Sequence, residues 1–232
     1  MPLKADGEAD LHEIDRFEGG VGWIAYPQEG MERASHAIAV PNAESETDDV
    51  WLFDPVDAPG LDDLLAELGT VAGVVVGFDR HRRDSAAIAT RHEAAVHVTE
   101  WMTGVADELN APVERFGSRL ADSGFEAFRI RVSSLPPWQE VGFFDGETLI
   151  VPESLGSASY FRGARERLGV HPMLRLTPPI GALSGLNPER VLVGHGVGVH
   201  DRAAIAVEDA LSGSRRKAPG LYAKALRSAL GI

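Results

Sequence analysis

Apolar residues in this chain come in short runs broken by turn-forming residues, and their spacing shifts between period two and period 3.6. Residues 21–26 and 36–40 read as strands, and the acidic spacer from Glu44 to Asp49 turns the chain into a third at 50–53. Asp54-Pro55 stops that strand, because proline cannot donate to a ladder. Residues 61–68 read as a helix: Leu61, Leu64, Leu65 and Leu68 share one face and Gly69 ends it. Residues 71–78 form a continuous apolar run, the mark of a buried strand. Asp84 or Ser85 caps a helix over 86–91, and 95–98 is the next strand.

The second half is less regular. A loop with a short helix is expected over 100–122. Residues 127–132 alternate apolar and charged, as a half-exposed strand does. Two runs at 141–144 and 148–151 flank Asp145-Gly146, a hairpin signature. A helix over 160–168, a proline-rich stretch over 172–188, a strand over 190–193, a tight turn at Gly194-His195-Gly196 and a helix over 202–211 follow. The tail places Leu221, Tyr222, Ala225, Leu226, Ala229 and Leu230 at helical spacing. Residues 1–13 are expected to be a flexible leader and 14–232 a single domain. There is no 20–50-residue repeat and no glycine-rich phosphate loop.

Composition narrows the classes. The 232 residues are 44% hydrophobic, enough for a sizeable core, and no run reaches the length of a membrane-spanning helix. The polar start lacks the layout of a signal peptide, so the expectation is a cytoplasmic protein. The net charge is −13, with 35 acidic residues against 22 basic ones, and only Lys4, Lys217 and Lys224 are lysine. An acidic surface, scarce lysine and no cysteine resemble a halophilic, haloarchaeal protein. The charge repels phosphate backbones and argues against nucleic acid; the missing cysteines exclude disulfides and thiolate metal sites. After Asp209 the tail carries only cations, among them Arg215, Arg216 and Lys217. That pattern suits a helix packed on the domain, with a membrane surface or partner as the other reading.

The chemistry concentrates after the apolar run 71–76, in Gly77-Phe78-Asp79-Arg80-His81-Arg82-Arg83-Asp84-Ser85. Its placement between a buried strand and a helix resembles the site of the His-x-His-x-Asp-His motif of the metallo-β-lactamase superfamily. Further landmarks keep the same order: the Asp54-Pro55 turn, the helix and strand after it, the hairpin, and Gly194-His195-Gly196. Together they cover roughly 16–211. The resemblance implies an α+β fold, a four-layer αββα sandwich of two mixed sheets flanked by helices.

It also implies a damaged metal motif. Asp79 and Asp84 stand where the family has histidines, His81 is the expected residue, and Arg83 replaces an aspartate that binds the second metal. Trp138 falls in the region of the third histidine, Glu153 near the bridging aspartate, and His195 matches the late histidine. A two-metal site holds its ions about 3.5–4 Å apart; arginine cannot ligate and repels a cation. Two readings follow. Asp79, His81, Asp84, Glu153 and His195 could bind one Zn, Fe or Mn ion as a reduced hydrolase site. Alternatively Arg83 takes the second ion's place by pairing with Asp79, Asp84 or Glu153. Losing two ligands and adding a cation favours the second reading. The expectation is therefore a divergent binding or structural protein, or an inactive relative, without dinuclear zinc hydrolysis. Its partner would be an unidentified small molecule or protein, with no nucleic acid or membrane, and with well under one equivalent of metal; the alternative is a metal-dependent hydrolase with a mononuclear site.

Other candidates carry less. His36, His92, His97, His171 and His200 read as surface or hydrogen-bonded residues, although His200 could line the same mouth as His195. Arg80, Arg82 and Arg83 form a basic cluster in an acidic chain, suited either to carboxylates within the fold or to an anionic ligand.

Overall fold

The computed structural model describes residues 2–5 and 7–230. Its strands in chain order are β1 (His12–Phe17), β2 (Gly20–Ile24), β3 (Ala34–Val40), β4 (Asp49–Phe53), β5 (Thr70–Val76), β6 (Ala95–Thr99), β7 (Val113–Phe116), β8 (Glu126–Ser134), β9 (Pro137–Phe144), β10 (Thr148–Val151), β11 (Leu155–Gly156), β12 (Gly169–Val170) and β13 (Arg190–Val193). The α-helices are α1 (Leu61–Ala66), α2 (Ser85–Arg91), α3 (Ile180–Leu183) and α4 (Ala203–Leu230).

Strands β1 to β7 lie in sequence order in one sheet, antiparallel up to β4 and parallel from β4 to β7. The second sheet runs β13-β10-β9-β8, with β10 and β13 parallel and the rest antiparallel. The apolar run expected at 71–78 is β5, buried on both faces because it is central. The sheets meet through aromatic rings: Phe53 packs edge-on against Phe125 and Phe143, with centroids 5.5 and 5.2 Å apart. On the outer face of the first sheet, α1 buries Leu61, Leu64 and Leu65, and α2 buries Ile88 and Ala89. On the second sheet, α3 and α4 do the same, α4 through Ala203, Ala206, Val207, Ala210 and Leu211. The result is the two-sheet, four-layer α+β sandwich.

Several local expectations change. The helix expected over 160–168 is absent: the segment is turns, with Arg165 at φ 64, where a right-handed helix cannot continue. The loop over 100–122 holds only a single 3₁₀ turn, Ala106–Glu108, and then the edge strand β7. The helix of 202–211 and the basic tail are one helix, α4, which continues through Pro219 on an exposed turn. Arg215, Arg216, Lys224 and Arg227 are exposed, Lys217 reaches inward to Glu166, and Leu221 is buried. His12 and Glu13, in the segment read as a leader, open β1, and the backbone N–H of Gly30 donates to Pro2 O at 2.7 Å. Among the described residues no helix is long and apolar enough to cross a membrane.

One buried ion pair stands apart from the site. The Arg175 and Glu166 side chains are fully buried and meet at 2.6 Å, and Arg175 also donates to Val170 O and Phe161 O. Burial pushes the Glu166 carboxyl up, but the Arg175 hydrogen bonds bring it below its ordinary value. Arg175→Met therefore leaves Glu166 without its guanidinium, although Lys217 at 3.5 Å gives partial relief. The expected loss is about 3 kcal/mol in denaturant unfolding, most of it recovered by adding Glu166→Leu.

Candidate metal centre

Each side chain of the site follows the carboxyl end of a parallel strand. Asp54 is the residue after β4, His81 lies in the loop after β5, Glu153 follows β10 and His195 follows β13. In open sheets with parallel strands this edge is where loops gather around a ligand. Backbone geometry aims them. Asp54 and Arg83 adopt left-handed conformations at φ 47 and 41, uncommon for residues with a Cβ. Gly194 is required because a side chain there would collide with the Pro152 carbonyl, and Gly196 because its φ is 87.

His81, Glu153 and His195 converge. His81 Nε2 and His195 Nε2 lie 3.0 and 2.8 Å from the same oxygen, Glu153 Oε2, and 3.4 Å from each other. All three residues are buried. The far nitrogen of each ring is already committed. His195 Nδ1 lies 2.9 Å from Met31 O, a carbonyl that can only accept. His81 Nδ1 lies 2.9 Å from Asp54 Oδ2, whose other oxygen accepts the Gly77 N–H at 2.7 Å. Both rings therefore keep their protons on Nδ1 and turn Nε2 lone pairs toward a carboxylate oxygen. Three acceptors face one another, and such a contact is stable only around a positive centre.

The titration directions agree. Burial and Arg83 pull the His81 pKa down, but Asp54 and Glu153 outweigh them and raise it. Burial lowers His195 despite Glu153. Burial would raise Glu153, yet His195 and His81 hold it well below the usual carboxylate range.

Of the five residues considered for metal, these three come together and the two aspartates do not. Asp84 accepts the Asp57 N–H at 2.9 Å and braces the loop after β4. Asp79 is half-buried, 4.0 Å from Arg80 Nε, and has a buried oxygen without a partner. Trp138 is fully buried beneath the site, donating Nε1–H to Glu140 at 2.8 Å. Glu140 in turn accepts the backbone N–H groups of Glu153 and Ser154 at 2.8 and 2.7 Å, which fixes the turn that carries Glu153.

Arg83 does not pair with Asp79, Asp84 or Glu153. Its guanidinium donates to three carbonyls, Ala34 O at 2.5 Å, Asp54 O at 2.7 Å and Gly194 O at 3.0 Å. It ties β3, the end of β4 and the turn after β13 together beside the cluster. The five donors of a planar guanidinium match converging carbonyls as readily as carboxylates, and here the carbonyls are closer.

His171 is a site residue that sequence reasoning placed elsewhere. Its Nε2 lies 3.3 Å from Glu153 Oε1, and its Nδ1 accepts the Met173 N–H at 3.2 Å. The ring packs among Trp138, Tyr160 and Phe161. The two-stranded ribbon β11–β12 brings it there, with His171 N donating to Ser154 O. No spacing signal in the sequence announces a two-residue ribbon. His200 sits apart, 3.1 Å from Asp15, and His97 is buried against Trp51.

No protein-family model matches the chain, and no curated protein matches it. Solved structures do. A DIM-1 metallo-β-lactamase exposed to ceftazidime superposes with a TM-score of 0.55 at 13% identity, over 92% of this chain and 99% of that one. A metallo-β-lactamase from Hirschia baltica gives 0.55 at 8%, over 87% and 96%. A flavo di-iron protein mutant from Thermotoga maritima gives 0.61 at 11%, over 90% of this chain and 63% of that one. At these identities the likeness is one of fold, and the fold is the metallo-β-lactamase sandwich.

Two outcomes test this geometry. Arg83→Ala removes three hydrogen bonds to buried carbonyls and should cost roughly 2–4 kcal/mol in denaturant unfolding. Arg83→Lys should recover little, because an ammonium is a point donor. The second concerns acid. Burial pushes His171 down to about 4 despite the Glu153 charge. The unfolded chain takes up a proton there near pH 6.5, while the folded chain does so only near 4, so stability falls as pH drops through that window. The separation caps the His171 share at about 3 kcal/mol. His171→Gln should flatten the stability curve of chelated protein between pH 6.5 and 4 without abolishing the slope, since His36 and His195 are also lowered by burial.

Proposed function

We propose that this chain is a single-metal hydrolase that holds one divalent cation through His81 Nε2, Glu153 Oε2 and His195 Nε2. The observation that carries the reading is the meeting of these three acceptor atoms within 3.4 Å, with both imidazole protons committed on the far side. Two histidines and one glutamate are a ligand set that catalytic zinc uses, with the fourth position left for water or substrate. Fe and Mn also suit this mixed nitrogen and oxygen set. A bound ion would supply Lewis acidity and a water that deprotonates near neutral pH.

The chain's own residues support that role. Asp54 and the Met31 carbonyl set the tautomers of the two histidines, as outer partners of metal ligands do. His171 and Glu140 position the Glu153 carboxyl. The rings of Phe78, Trp138 and Phe161 pack on the histidines and shield one side from water. Arg83 at the neighbouring position opposes a second cation, so two-metal hydrolysis is not part of the reading. Trp138 and Arg83 leave room for the single ion: Trp138 is bonded to Glu140 away from the three ligand atoms, and Arg83 is held by carbonyls, so the Glu153 charge stays available.

The test is metal content. Protein purified without chelator, or stripped and incubated with Zn, Fe or Mn, should hold about one equivalent of one of them by elemental analysis. Loading should raise the melting temperature. Hydrolysis of p-nitrophenyl acetate or p-nitrophenyl phosphate should rise and fall with occupancy, and His195→Ala should lose both metal and turnover. Failure to load any of the three ions would mean that a shared proton holds the cluster, and loading of two ions would restore a dinuclear site.

A further inference from the structure

The cavity over the cluster has a charge that the chain as a whole does not predict. It measures about 290 Å³, at the small end of ligand sites. Among its lining residues are Lys4, Arg33, Arg80 and Arg83, in a protein of net charge −13. Some cations of this region are already spent. Arg33 is held by both oxygens of Glu29, at 2.7 and 3.0 Å. Arg82 turns away from the cavity to pair with Glu108. Arg83 and Arg80 are not spent.

Arg83 rests on carbonyls, which satisfy hydrogen bonds but carry no net charge. Among the described residues no carboxylate lies within ion-pair distance of it, and its Nε is buried without a partner. Asp54, Glu153 and Glu29 stabilise its charge only through space, so in a partly dry cavity an anion in direct contact would stabilise it further. Arg80 stands at the rim with its side chain 51% exposed. It lies over the faces of Phe78 and Trp138, 4.4 and 5.1 Å from their centroids. Stacking fixes its plane. It donates one N–H to Pro137 O at 3.2 Å, and its nearest carboxylate, Asp79, is 4.0 Å away. Donors therefore remain for a ligand.

We propose that the cavity takes a small substrate through an anionic group, carboxylate or phosphate, held by Arg83 and Arg80. This deepens the single-metal reading, because the bond to be cleaved has to reach the ion. The anion contact itself rests on the two arginines. Both groups present two or three oxygens, enough to meet the remaining Nη2 donor of Arg83 and the free donors of Arg80 together, and the cavity size limits the molecule to a small one.

The test separates the two claims by starting without metal. Chelator-treated protein is titrated with inorganic phosphate and, separately, with acetate, at constant ionic strength, by calorimetry or by shifts of the histidine resonances. At least one of the two should bind at a single site. Arg80→Gln, an exposed position that leaves the fold intact, should weaken that binding about tenfold. Arg83→Lys, if folded, should weaken it further. Phosphate alone, acetate alone or both would each support the proposal and name the oxyanion. No binding of either, or unchanged binding in Arg80→Gln, would overturn it. Metal loading measured in the same preparation reports on the single-metal reading independently, so a protein that binds anions but no metal, or metal but no anions, is assigned without ambiguity.

Discussion

Glu153 Oε2 faces two imidazole nitrogens that have both given their protons to other partners. Met31 O and Asp54 hold those protons at Nδ1 of His195 and His81, so the buried oxygen and the two lone pairs have no donor among themselves. Electrostatics inside a protein punishes this arrangement severely unless a cation lies at its centre. Much of the surrounding structure maintains the constraint: Glu140 grips the backbone of Glu153, the β11–β12 ribbon brings His171 to its other oxygen, and the glycines at 194 and 196 let the last turn approach.

The strand arrangement makes the meeting possible. Asp54, His81, Glu153 and His195 come from both sheets and from positions up to 141 residues apart, 54 to 195. Each leaves a parallel strand at its carboxyl end, so the register of four strands sets the positions of four side chains. Aromatic packing between the sheets, centred on Phe53 and Phe143, keeps the two edges aligned. The site is thus supported by regular structure below and by short turns above, which favours fixed ligand positions.

Arg83 gives the site its individual character. A guanidinium bound to three carbonyls reinforces the loops and keeps its full charge. That charge disfavours a second cation and favours an anion. Arg80 adds to this, and Arg82 does not because Glu108 takes it. Adjacent arginines in one loop have three different fates, decided by what lies within reach of each side chain.

Much of the frame was legible in local pattern. The buried strand at 71–78, the leucine face at 61–65 and the Asp145-Gly146 hairpin all follow from side-chain periodicity and turn chemistry, which act over a few residues. The ordered landmarks around 54, 81 and 195 carried the resemblance and with it the fold. What local pattern could not carry was contact. The helix read at 160–168 has a helical spacing of apolar residues, but Phe161 turns inward onto His171 and His195 instead. His171 had no motif to mark it, because a two-residue ribbon delivers it from a sequence distance of 18 residues, 153 to 171. Arg83 was read correctly as a cation and paired with the wrong acceptors, since carbonyls are invisible in a sequence. Residue type and spacing determined which chemistries were present; tertiary structure alone decided which atoms faced one another, because hydrogen-bond partners more than a hundred residues apart are chosen by strand register and not by the local chain.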